Sequence, residues 1–318
     1  MADAIWKDKI VSLGTTADTE FRVQFGGNTI YQGKAFIRPG DSAPSVRLND
    51  ICADYLRATF PTLTNKGFAL ASNVGTFTLQ RKSGTSWASV GSYDFYGDWS
   101  YEPNYNMGTT GWSSPIINRI DERQWLLYSA MNKSLNFKST NKRGTTYTDA
   151  VSGSSGNNGT AMLNLSLRSD IVRVVVNGYT FYVSPSCHRY CLYYLNAYGG
   201  WDTFLIEGDV LERDTFVRHN AELEYNNTDP LQRGRRNYVN EVVKGFTMHT
   251  GWLSDWESSR MYHLLGSVDV YLHDLALGDI RGVVLTNNSA EYRTFKNNGR
   301  KLVEYTIECE LAQGRDRR

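Results

Sequence analysis

The tightest grouping of metal- and proton-handling side chains is Cys187-His188-Arg189-Tyr190-Cys191. Two thiolates and an imidazole so close together are zinc ligands by type. A structural zinc site normally takes two ligand pairs, however, and the remaining cysteines, Cys52 and Cys309, stand alone in the sequence. Cys187 and Cys191 are therefore expected to be buried structural thiols. His219, His249, His263 and His273 show no metalloprotease spacing and read as core or surface histidines. A nucleophile elbow, a phosphate-binding loop and a dinucleotide fingerprint are all absent from the sequence. Asp202, Glu207 and Asp209 supply the carboxylates a glycosidase pair requires, but carboxylates at such short separation are common on any surface. The expectation is a non-enzymatic chain with no catalytic residues, no metal and no cofactor.

A second class of chemistry is contact. Arg233, Arg235 and Arg236 crowd one loop-like stretch, and Arg315, Arg317 and Arg318 crowd the end of the chain. These clusters read first as solvated charge; the alternative is a salt-bridging contact with an acidic neighbouring subunit, because arginine forks carboxylates and is enriched at interfaces. Glu304, Glu308 and Glu310 supply the opposite sign, on a run in which Val303, Tyr305, Ile307 and Cys309 alternate with polar residues. That alternation predicts a strand with one wet face. Trp99, Tyr101, Tyr105 and Trp112 lie in a loop-like region and are candidate exposed aromatics; Tyr190, Tyr193, Tyr194, Tyr198 and Trp201 crowd another stretch. Such rings stack on sugars or fill holes in partner subunits when exposed, and pack the core when not.

The elements that must carry these residues follow from composition and period. Of 318 residues, 41% are hydrophobic and 13% aromatic, with 28 Gly. Aromatics favour strands, while Gly and Asn supply the positive-φ positions of tight turns, so a β-rich chain with many short loops is expected. Residues 20–25 and 29–37 alternate about Gly26-Gly27-Asn28 and predict a hairpin. Asn177-Gly178, between two β-branched and aromatic runs, is the strongest hairpin signal. Ile51, Tyr55 and Leu56 suggest one short helix. Residues 216–225 and 238–250 predict long strands. Ser254-Asp255-Trp256-Glu257 is a capping box, and Met261, Leu264, Leu265 and Val268 follow at helical spacing, predicting a helix over 254–267. The expected architecture is mainly β: two small β-sandwich-like modules over 1–112 and 113–184, then a β-sandwich or barrel module over 185–318 flanked by the single helix.

Charge and hydropathy exclude other classes. Lys and Arg total 34 against 33 Asp and Glu, a balance unlike the strongly basic footprint of a sequence-specific nucleic-acid binder. Apolar runs such as 171–176 fall far short of the ~20 residues a membrane helix needs. The N-terminus mixes charges and lacks a secretory apolar core, so the thiols are expected to stay reduced and the Asn-x-Ser/Thr triplets unglycosylated.

One stretch, Arg189-Tyr190-Cys191-Leu192-Tyr193-Tyr194-Leu195-Asn196-Ala197-Tyr198-Gly199-Gly200-Trp201-Asp202, resembles virion structural proteins of tailed phages of gut Bacteroidetes, including the crAss-like phages. Residues 30–36 and 46–51, and the end from Trp252-Leu253-Ser254-Asp255 through Tyr305-Thr306-Ile307, are similar to the same group. The third segment also looks like the fold shared by tail-tube, distal-tail and baseplate-hub proteins. The resemblance implies a symmetric ring, commonly sixfold, made of copies of this chain and joined to other tail or connector proteins, with DNA passing through the lumen. It implies assembly in the bacterial cytoplasm and residence in the virion. The extra β modules favour an adaptor, hub or distal-tail position. The alternative is a carbohydrate-binding adhesin or receptor-binding module that uses the loop aromatics.

Overall fold

The computed structural model describes residues 3–5, 8–70, 74–97, 119–131, 135–152, 158–167, 170–184, 187–197, 199–222, 235–287, 292–297, 300–313 and 315–317. The fold is mainly β, arranged in several sheets. In the first module β1 (Asp3–Ala4), β3 (Thr19–Phe25), β4 (Asn28–Ala35), β7 (Val74–Ser83) and β8 (Ser86–Tyr96) form one sheet in the order β1-β8-β7-β3-β4. A ribbon of β2 (Ile10–Ser12) and β5 (Ser45–Arg47) and a short helix α1 (Asn49–Cys52), continued as a 3₁₀ turn to Leu56, cover it. The predicted first hairpin is β3–β4, and Gly26 and Gly27 turn it with φ of 55° and 83°, values that glycine adopts without a Cβ clash. Phe21, Val23, Phe77, Leu79 and Phe95 point inward at alternate positions and make this module's core.

The middle module is a sandwich. One sheet has the order β12-β11-β14-β15-β9, from β9 (Arg119–Asp121), β11 (Leu135–Asn141), β12 (Thr146–Val151), β14 (Ile171–Val176) and β15 (Tyr179–Ser184). The facing sheet is β10 (Trp125–Met131), β13 (Asn158–Asn164) and β6 (Lys66–Leu70). Leu126, Tyr128, Phe137, Val174 and Phe181 fill the space between them. The strand β6 comes from within 1–112 and pairs with β13, so this sheet draws on both stretches of sequence. Asn177 and Gly178 adopt φ of 47° and 84°, the two positive values that the β14–β15 turn demands.

The last module is one large curved sheet, in the order β17-β16-β21-β22-β24-β19-β18. Its strands are β16 (Tyr190–Leu195), β17 (Trp201–Leu205), β18 (Val210–Glu222), β19 (Arg235–His249), β21 (Val270–Asp274), β22 (Asp279–Leu285) and β24 (Arg300–Leu311). The short β20 (Leu253–Ser254) and β23 (Tyr292–Asn297) add to β24, and β25 (Arg315–Arg317) adds to β19. Helix α2 (Asp255–Leu265) starts at the predicted capping box: Ser254 Oγ accepts from the Glu257 amide at 3.4 Å, and the Ser254 amide donates to Glu257 Oε2 at 2.7 Å. Met261 and Leu264 are fully buried beneath it. Val268, expected on the same stripe, is instead 57% exposed, because the helix ends at Gly266 before the period reaches it.

Candidate functional site

The two edges of the large sheet differ completely. At one edge β17 is buried at every position and lies against β10 of the middle module. Trp201 Nε1 donates to the Thr59 carbonyl at 3.1 Å, Gln124 Nε2 to Thr203 Oγ1 at 2.9 Å, and the Trp125 amide to Tyr193 Oη at 3.0 Å. Phe60 stacks on Tyr271, with ring centroids 4.3 Å apart, and meets Trp201 edge-on. This edge is sealed by intramolecular packing.

At the other edge stands β18. It pairs with β19 along its whole length, and among the described residues nothing pairs with its outer side. Every residue from Leu211 to Arg218 is exposed, including Leu211 at 58%, Phe216 at 54% and Val217 at 40%. Among the described residues the partner strand β19 is backed by β24 only at Gly245–His249, and by β25 only at Asn240–Val242. The β18–β19 ribbon is thus an arm that outruns the sheet supporting it. At ~3.3 Å per residue its 13-residue strand extends about 43 Å.

A buried-to-exposed charge cluster fixes the root of the arm. Glu212 on β18 accepts from Tyr190 Oη, meets Arg189 at 2.7 Å and meets Lys244 of β19 at 2.5 Å; Arg189 also reaches Asp274 at 3.2 Å. The Lys244 bond, then the Tyr190 hydroxyl, hold the Glu212 carboxyl below its usual range. Burial and the neighbouring carboxylate push the Tyr190 phenol upward, so it stays a donor. Nothing in the sequence distinguishes Glu212. Its importance comes from sheet curvature, which brings β18 over β16.

The sequence-predicted contact residues fall in two places. Glu304, Glu308 and Glu310 occupy one face of β24, alternating with buried Val303, Tyr305, Ile307 and Cys309, with Glu308 the most exposed. Arg235 and Arg236 begin β19, opposite Glu222 and Ala221 at the far end of the arm; Arg233 lies outside the described residues. Along β19, Gly245 is the residue beside Glu310. Nine strand positions, about 30 Å, therefore separate Arg236 from that point, and the two clusters do not meet within one chain. Arg315 and Arg317 add to the arm through β25. Trp99, Tyr101, Tyr105 and Trp112 lie outside the described residues.

The other candidates are structural. Tyr190, Tyr193, Tyr194 and Trp201 are core residues, which corrects any reading of them as a stacking surface; Tyr198 lies outside the described residues. Cys191 is buried as expected, but Cys187 is exposed, because it precedes β16 rather than entering it. Among the described residues no cluster of His, Cys, Asp and Glu is placed to hold a metal ion. Asp202 is buried and accepts from Asn196 Nδ2 at 3.0 Å, bracing the β16–β17 turn. Glu207 pairs with Arg119 at 2.5 Å, joining the last module to the middle one, while burial raises its carboxyl. The two carboxylates serve separate structural ties. His219 meets Glu241 at 3.3 Å on the arm and His273 is buried against Tyr193 Oη at 3.0 Å, so these histidines belong to different environments. No helix among the described residues is long and apolar enough to cross a membrane. No known protein family and no curated protein matches the chain in sequence.

Proposed function

We propose that this chain is a non-enzymatic structural subunit of a tailed-phage virion, repeating as a ring in the tail, hub or connector region. The β18–β19 arm carries the proposal. An edge strand exposed on both faces adds little stability of its own, and β18, exposed from Leu211 to Arg218, also presents Leu211, Phe216 and Val217 to water. Long open edges with apolar side chains are what proteins avoid unless another chain covers them. In the ring reading a neighbouring copy's β24 face covers the exposed side chains of the arm and leaves the outer backbone edge of β18 open.

The charges support the same view. The arginines at the far end of the arm and the glutamates of β24 lie too far apart to pair within a subunit, which suits a head-to-tail contact in which one copy's arm crosses its neighbour's β24 face. Such contacts add up around a closed ring even when each is weak. The second aromatic crowd offers glycans no stacking surface, since its described members are core residues; the loop aromatics of the glycan alternative lie outside the described residues.

The test is the size and shape of the purified protein by native mass spectrometry and negative-stain electron microscopy. Rings of uniform copy number are expected. Glu308→Lys with Glu310→Lys should dissolve them, and Arg235→Glu with Arg236→Glu in the same chain should restore them. A monomer at every concentration would overturn the proposal.

A further inference from the structure

The exposed edge of β18 has a sequence that can pair with itself. We propose that two copies of the chain associate through β18 laid antiparallel to β18 about a two-fold axis at Phe216, joining their large sheets into one. The contact does not depend on the virion reading, because a two-fold pair closes on itself whereas a ring needs a separate head-to-tail surface.

The register follows from geometry. An antiparallel edge pair has its two-fold axis perpendicular to the sheet, so facing residues must come from the same face of the strand. The axis must therefore pass through a residue. At Arg213 it sets Glu212 opposite Asp214, two like charges. At Asp214 it faces that carboxylate with its own copy. At Thr215 it sets Asp214 against Phe216 and Arg213 against Val217. At Val217 it sets Phe216 against Arg218.

At Phe216 the central pairs agree; farther out Arg213 faces His219, which is held by Glu241, Glu212 faces Asn220 and Val210 faces Glu222. Phe216 meets its own copy, Thr215 meets Val217, Asp214 meets Arg218 and Leu211 meets Ala221, each of the last three occurring twice by symmetry. Aromatic, β-branched and opposite-charge cross-strand pairs are the ones that stabilise sheets. Among the described residues Asp214 and Arg218 have no ion pair within the chain, since Lys244, which faces Asp214, is bound to Glu212. Phe216, Asp214 and Arg218 share the face that carries core residues Phe246 and Met248 farther along the ribbon. The joined sheet thus continues the core-facing side of both copies.

Single-cysteine cross-linking reads the register directly. In a Cys187→Ser background, Phe216→Cys should give a disulfide-linked dimer on mild oxidation. Val217→Cys should not link to itself, but should link when mixed with Thr215→Cys. Asp214→Arg should weaken the dimer about tenfold in sedimentation, since two ion pairs turn repulsive, and adding Arg218→Asp should restore it. Equal cross-linking of Phe216→Cys and Val217→Cys, or a dimer indifferent to Asp214→Arg, would overturn the proposal. Glu308→Lys with Glu310→Lys, which tests the ring, should leave the Phe216→Cys cross-link intact.

Discussion

Buried polar side chains hold the last module in place, and the buried imidazole is the most informative. His273 sits between Tyr193 Oη and the Cys191 thiol, at 3.0 Å and 3.8 Å. Burial lowers its pKa, so the folded protein resists a proton that the unfolded chain accepts. The sign follows from linkage: the unfolded state binds more protons below the ordinary histidine range, so stability falls as pH drops through about 6.5. Denaturant titrations at pH 7.5 and 5.5 should show that loss, and His273→Gln should flatten it. An unchanged slope would mean that another group is responsible. The thiols make a second residue-scale prediction. Burial pushes Cys52 and Cys309 up to about 12 and Cys191 upward as well, whereas Cys187 is exposed. A thiol reagent should therefore modify one cysteine per native chain and all four only after unfolding.

Among elements, α2 and the arm stand at opposite ends of legibility. The helix start could be read because a capping box is a local pattern, and the structure makes both of its hydrogen bonds. Ser254→Ala should lower stability by about 1 kcal/mol in thermal melts. The hairpin at Asn177-Gly178 was legible for the same reason, since two consecutive positive φ values admit few residues. The arm was only half legible. Residues 216–225 predicted a strand, but β18 begins six residues earlier, at Val210, where Glu212, Arg213 and Asp214 hide the period. A strand wet on both faces has no alternation to read. Its anchor, Glu212, depends on how the sheet curls and leaves no trace in the local sequence. Glu212→Gln should speed hydrogen exchange of the β18 amides while costing the whole fold only about 1 kcal/mol, as expected for a partly exposed ion cluster. A uniform increase over all modules would show that the cluster supports the fold rather than the arm.

At the scale of the molecule, the sealed edge explains why the middle and last modules should behave as one. A boundary placed by composition at residue 184 cannot register the chain segment around Thr59 and Phe60, which runs from the first stretch of sequence into the aromatic stack of the last module. The same segment then supplies β6 to the middle sandwich. Trp201 sits at the centre of this junction, 1% exposed, with its carbonyl accepting from Ser129 Oγ and its indole donating to Thr59. Removing its ring should cost about 3–5 kcal/mol, the usual range for a buried aromatic truncated to alanine. The way the loss is distributed is the sharper test. The intact chain should melt its middle and last modules in one calorimetric transition, because the groups that join them are core groups of both. Trp201→Ala should split that transition in two, with the last module leaving first, since it loses the wall against which β16 and β17 pack. A single transition merely shifted to lower temperature would mean that the remaining ties, Gln124 to Thr203 and Arg119 to Glu207, are enough to couple the modules.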